Sequence, residues 1–141
     1  MSKKFNSDSV ALIFKGNSRN GIPINGKYGL LKMNGSVIAE CIYDTIYSFN
    51  EGLAMVVKDK KYGFIDKEGK LIIPIEFDYG FSFSCGFACV KKNEFYGYIY
   101  KSNKVIIPFK FYFAHPFVNG IAKVFSIDGK QFINTNGDVL F

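Results

Sequence analysis

The pair Tyr28-Gly29 returns as Tyr62-Gly63 and again as Tyr96-Gly97, each time 34 residues further along the chain. Other columns keep the same step: Phe49, Phe83 and Phe117; Gly52, Gly86 and Gly120; Ala54, Ala88 and Ala122; Val56, Val90 and Val124. A fixed period of this length marks a repeat architecture, in which each unit is one supersecondary element that buries its apolar face against its neighbours. That constraint outweighs any local propensity.

A period of 34 also suits helical tetratricopeptide repeats, so the pattern inside one unit decides. FACVKKNEFYGYIYKSNKVIIP breaks into three short runs at Lys92-Asn93-Glu94 and at Lys101-Ser102-Asn103, both hairpin turn chemistries. No unit offers a continuous amphipathic stretch of helical length. One turn column holds Gly35, Gly69, Asn103 and Gly137, residue types that accept positive φ. The chain is therefore expected to be all-β, a single domain over residues 1–141 made of four three-stranded antiparallel meanders, at about 10–39, 54–74, 88–108 and 121–141. Connectors of roughly a dozen residues join them. An open twisted array is expected, with a closed ring like a small propeller as the alternative. Because the apolar end DVLF would need cover, the protein is read as a monomer or as a dimer through its end units.

The first unit departs from the period. Residues 16–26, GNSRNGIPING, are inserted where the second unit needs only Asp59, Lys60 and Lys61 between Lys58 and Tyr62. With its glycines and asparagines this segment is expected to leave the sheet as a polar projecting loop carrying Arg19.

At 141 residues and 48% hydrophobic content the chain can bury a core without disulfides or metals. Its aromatic stock of 16 Phe and 9 Tyr favours pleated, half-buried surfaces. The apolar run at residues 10–14 is too short for a signal peptide core, no run approaches a membrane span, and three cysteines do not suggest a disulfide scaffold. The reading is cytoplasmic, with no membrane partner. The net charge of +6 favours acidic partners.

The strings GKYGLLKMNG, KKYGFIDKEGKLIIPIEFD and FYGYIYKSNKVIIPFKF, with segments such as FNEGLAMVVKDKKYG, resemble the WG repeat family, with Tyr28, Tyr62 and Tyr96 standing where that family has Trp before Gly. The fourth unit reads Lys130-Gln131 at the same place and lacks the pair. The resemblance implies bacterial all-β repeat proteins that serve as binding or partner modules and are tied to no single activity.

No catalytic set stands out. His115 is the only histidine and shares a column with Tyr47 and Phe81, which reads as a packing position rather than a general base. Cys41, Cys85 and Cys89 fall short of the ligand set of a zinc site, and the glycines form no phosphate-binding motif. Asp44 and Asp78 occupy one column, continued by Tyr112, while Asp66 follows Phe64-Ile65. These carboxylates read as acceptors for turn N–H groups rather than as an acid–base pair. No enzyme activity, cofactor or metal is expected.

Two surfaces remain. Lys58, Lys60, Lys61, Lys91, Lys92, Lys123 and Lys130 recur at hairpin tips, and stacked meanders would align them into a stripe able to neutralise an anionic ligand such as nucleic acid or a nucleotide. The columns Thr45, Tyr79, Phe113 and Tyr47, Phe81, His115 vary in identity but stay largely aromatic, as partner-binding positions do. With Arg19 they form the expected contact set of a non-enzymatic protein-binding module, concretely a small inhibitor or immunity-type protein with an acidic partner. Anion binding through the lysines is the alternative.

Overall fold

A computed structural model describes residues 3–5 and 10–141. Among them there is no helix, and the strands form four separate antiparallel sheets, none closed into a barrel. The chain divides into two compact units, Met1–Ile75 and Glu76–Phe141.

The first unit opens with β1 (Lys3–Phe5), β2 (Val10–Arg19), β3 (Ile22–Lys32) and β4 (Val37–Tyr43), hydrogen-bonded in that order. Its second sheet holds β5 (Thr45–Asn50), β6 (Leu53–Lys58), β7 (Lys61–Ile65) and β8 (Leu71–Phe77), the last of which carries the chain into the next unit. The core gathers the repeat columns: Val10, Leu30, Ala39, Tyr43, Ile46, Phe49, Ala54, Val56 and Ile65 are buried together, with Leu12, Tyr28, Ile38 and Ile75 packed against them. The second unit contains β9 (Tyr79–Gly80), β10 (Phe87–Lys92), β11 (Phe95–Tyr100) and β12 (Val105–Phe111) in one sheet. Its other sheet has β13 (Phe113–Ala114), β14 (Ile121–Ser126) and β15 (Gly129–Asn134). Phe87, Tyr98, Phe111, Phe117, Val124 and Ile133 are central to its core.

The meanders are those expected, but their connectors are not plain loops. Each begins with a strand, β5, β9 or β13, that pairs with the first strand of the following meander, as in Tyr79↔Lys91 and Phe113↔Phe125. In the fourth meander the run beyond β15 makes an isolated bridge, Ile133↔Val139.

The Tyr-Gly signature has a steric cause. A side chain on Gly97 would place its Cβ 2.8 Å from the Ile107 carbonyl oxygen, and on Gly63 2.7 Å from that of Ile73. The third strand crosses the second so closely, at a bulge in the ladder, that only glycine fits. The turn column behaves as its residue types predict, with φ of 88°, 79°, 67° and 85° at Gly35, Gly69, Asn103 and Gly137.

The insertion differs from expectation. Residues 16–26 do not leave the sheet as a loop; they lengthen the first hairpin, which stays paired through Gly16↔Gly26 and Asn17↔Asn25 and, after a one-residue bulge between Asn17 and Ser18, through Ser18↔Pro23 and Arg19↔Ile22. Asn20-Gly21 closes it with φ of 51° and 74°, the two left-handed residues of a type I′ turn. Backbone donors that would otherwise need solvent are met across the ribbon. The described side chains of residues 15–25 are all exposed, so Arg19 sits at the tip of a two-stranded arm.

Candidate binding face

The carboxylate column is structural. Asp44 Oδ2 accepts the Asp59 backbone N–H at 2.8 Å, and Asp78 Oδ2 accepts that of Asn93 at 3.0 Å. Each acceptor thus holds the next hairpin turn, where Asp59-Lys60 and Asn93-Glu94 all have positive φ. Lys27 Nζ donates to Asp44 Oδ1, and this bond, followed by the Asp59 N–H, keeps the Asp44 carboxyl below the usual carboxylate range. Asp66 Oδ1 accepts from Glu68 and Lys70 N–H, both at 2.9 Å, and shapes its own turn. No three His, Cys, Asp or Glu side chains among the described residues are grouped to hold a metal ion.

In the second unit the variable columns converge. Strand β9 aims Tyr79 alongside Lys91, and β13 aims Phe113 alongside Phe125. Ring centroids then step across the surface: Tyr79 to Phe81 at 5.4 Å, Phe81 to Phe113 at 6.5 Å, Phe113 to His115 at 5.0 Å, and Phe113 to Tyr96 at 5.1 Å. Most of these pairs meet nearly edge to face, at 83°, 87° and 77° for the first three, the arrangement that aromatic quadrupoles favour. Tyr79 and His115 are exposed, while Phe81 and Phe113 are half-buried on the core.

Cations border the same rings. Lys91 Nζ stands 5.8 Å from the Tyr96 ring centre and Lys123 Nζ 5.5 Å from that of Phe125, within cation–π range. Lys130 is the cross-strand partner of Phe125 and so shares its face. Lys92, one residue out of step, turns to the opposite side, where it meets Glu76 at 3.7 Å and lies over Phe77 at 5.9 Å. The lysines of this unit therefore split between two faces rather than forming one stripe.

The face is fixed from beneath. Fully buried Tyr98 donates its hydroxyl to the His115 carbonyl at 2.6 Å, and the His115 N–H donates to the Lys123 carbonyl at 2.9 Å. Buried Cys89 places its Sγ 3.5 Å from the Ala114 carbonyl. Burial pushes the Cys89 thiol up to about 12 and raises the Tyr98 phenol as well, so both stay protonated and neutral. Cys41 is half-buried and Cys85 exposed, each a free thiol.

The first unit carries Thr45, Tyr47, Lys58, Lys60 and Lys61 of the expected set. Thr45 lies opposite Val57 where the second unit has Tyr79 opposite Lys91, and Tyr47 is exposed. Lys58 and Lys61 flank the Asp59-Lys60 turn. On this version of the surface Tyr47 and Tyr62 are the aromatic members, with Thr45 and Val57 where the second unit has Tyr79 and Lys91. Tyr96 and Phe125 were missed as members of the face: Tyr96 belongs to the repeat signature, and Phe125 falls in the column of Val57 and Lys91. Cross-strand pairing with Phe113 is the signal that finds Phe125.

A family model described as WG containing repeat matches residues 28–62, 62–94 and 96–130. No curated protein and no solved structure matches the chain. The three matched segments span well over half of the sequence, and the chain belongs to the WG-containing repeat family.

Proposed function

We propose that this WG-repeat protein is a non-enzymatic protein-binding module that covers an acidic surface of its partner, in the manner of a small inhibitor or immunity protein. The supporting observation is the aromatic row Tyr79, Phe81, Phe113 and His115, bordered by Lys91, Lys123 and Lys130. Aromatic side chains give large contact area for little lost rotamer freedom, and the hydrogen bond from Tyr98 holds His115 in place before any partner arrives. Preorganisation of this kind lowers the cost of binding. The flanking ammonium groups select for carboxylates and steer the encounter.

Nucleic acid is the weaker reading for this face. Base stacking needs open ring faces, whereas edge-to-face packing at 83° and 87° commits much of the ring surface to neighbours. The test compares the wild type with a Tyr79→Ser, Lys123→Glu double variant as baits in extract of the native host. A protein retained by the wild type, lost by the folded double variant and rebuilt as a purified binary complex supports the reading. Retention indifferent to the double change, or none across growth conditions, rejects it.

A further inference from the structure

The first meander holds no acidic residue over positions 10–39, where Lys15, Arg19, Lys27 and Lys32 all fall. Lys27 is committed to Asp44 and Lys32 to Glu68. Lys15 and Arg19, both on the arm, have no ion pair among the described residues.

The ladder sorts the arm's side chains by face, because alternate residues of a strand point the same way and cross-strand partners share a side. Lys15, Asn17 and Arg19 of β2 therefore stand together with their partners Lys27, Asn25 and Ile22 of β3. The opposite face takes Phe14 and Tyr28, whose ring centroids are 5.1 Å apart, then Gly16↔Gly26 and Ser18↔Pro23. The extra residue of the bulge falls on β3, at Ile24, so alternation along β2 is unbroken out to Arg19. One side of the arm is thus a ladder of hydrogen-bonding groups, with ammonium at its root, two facing amides at its middle and a guanidinium at its tip. Ile22 is the apolar member and is 65% exposed.

An acidic protein surface calls for cations and gives no use to a facing pair of neutral amides. Base edges use both. Arg fits guanine and Asn fits adenine in bidentate fashion, and an apolar side chain meets the thymine methyl. Size agrees: the major groove of B-form DNA, about 12 Å wide and about 8.5 Å deep, admits a two-stranded ribbon, and from Gly16 to Arg19 the arm extends about 13 Å at strand rise. The tight Asn20-Gly21 turn adds little bulk at the tip.

We propose that the arm is a DNA-binding ribbon that enters the major groove of a duplex with its Lys15, Asn17, Arg19 and Asn25 face against the base edges. Arg19 and the two asparagines contact bases, and Lys15 at the root meets a phosphate on the rim. The inference goes beyond the reading of the chain as a protein-binding module and uses the first unit, not the aromatic row of the second. An acidic protein that engages Arg19 must then exclude the duplex from the arm.

The probe is a fluorescein-labelled DNA duplex, selected by the whole protein from a pool with a randomised stretch of about ten base pairs and then titrated with the protein by anisotropy. Saturation below about 100 μM in about 50 mM salt is expected. Arg19→Ala should weaken binding at least about fivefold, whereas Lys104→Ala, an equal loss of charge at an exposed position of the second unit, should weaken it less than about twofold. Lys15→Ala should lower the slope of log affinity against log salt by about one. Asn17→Ala combined with Asn25→Ala removes no charge and should weaken binding at least about fivefold at an unchanged slope. The same sequence as duplex RNA, whose deep, narrow major groove shuts out the ribbon, should bind at least about tenfold more weakly. The proposal is overturned by a pool without an enriched sequence, by no saturation at about 1 mM, or by equal losses in Arg19→Ala and Lys104→Ala. RNA bound as well as DNA, or a polyglutamate peptide bound as tightly as the duplex, overturns it too. Capture of a protein by the aromatic row and titration of the duplex read different units of the chain, so the two readings fail separately.

Discussion

Asp78 and Asn93 are bound side chain to backbone across fifteen residues, the Asp78 carboxylate accepting the Asn93 N–H at 3.0 Å, and Asp44 repeats the arrangement with Asp59. Asp44 and Asp78 stand just after β4 and β8, so each bond ties a connector to the turn of the meander that follows it. Asp78→Ala should lower stability by about 1–2 kcal/mol, the cost of stranding a turn donor, seen as a lower midpoint in urea with an unchanged slope. Asp78→Asn, which keeps an acceptor oxygen, should lose less than half as much.

Two glycines separate steric from conformational causes. Gly97 meets the third strand, with a built Cβ 2.8 Å from the Ile107 carbonyl oxygen, whereas Gly86 has φ of 83° and open space around it. Gly97→Ala forces backbone apart and is expected to cost about 3 kcal/mol, at the upper end for overpacking. Gly86→Ala should cost only the left-handed penalty of about 1 kcal/mol. Equal losses in urea denaturation would contradict the close-approach explanation of the Tyr-Gly signature.

Sequence alone reached the repeat, the β class, the positive-φ turn column and the structural role of Asp44 and Asp78, because each is written in local chemistry that recurs in phase. It missed the arm for an instructive reason. Comparison with the second unit counts the residues between Lys15 and Tyr28 but says nothing of whether they pair, while the Asn20-Gly21 dipeptide, a strong hairpin signal, was present throughout. The strands of the connectors were hidden by brevity: Tyr79–Gly80 and Phe113–Ala114 are too short to show alternation. The aromatic row was half legible, since Tyr79, Phe81, Phe113 and His115 stand in variable columns, but Phe125 and Tyr96 join it only through cross-strand register.

Alkaline pH should unfold the second unit through its buried acids. The Cys89 thiol is raised from 9.0 to about 12 by burial, and Tyr98 is raised in the same direction. With folded values above unfolded ones, the native state holds protons that the unfolded state releases, so their contribution is complete below about pH 9 and falls as pH rises toward 12. Each group adds a slope approaching about 1.4 kcal/mol per pH unit in that window. Cys89→Ala should flatten the decline between pH 9 and 12 in urea denaturation series; an unchanged slope would remove the thiol from the account.

The arm at residues 16–26 offers the last test. Its root is a cross-strand glycine pair, Gly16↔Gly26, where a Cβ on either residue would strike the opposite backbone. Beyond it the described side chains are exposed, Ile22 at 65% and Ile24 at 63% included, so the arm contributes little to the core. Replacing residues 16–26 by Asp-Lys, the turn that closes β6 and β7, should leave stability within about 0.5 kcal/mol of the wild type. A loss above about 2 kcal/mol would mean that the arm packs on the sheet. Arg19 at the tip carries a planar fork suited to carboxylates, and an acidic partner bound by the module should therefore be held more weakly by both the shortened protein and Arg19→Ala. Isothermal titration of the purified binary complex reads this directly. Equal affinity in all three proteins would exclude Arg19 from the contact and leave the second unit's aromatic row as the binding surface.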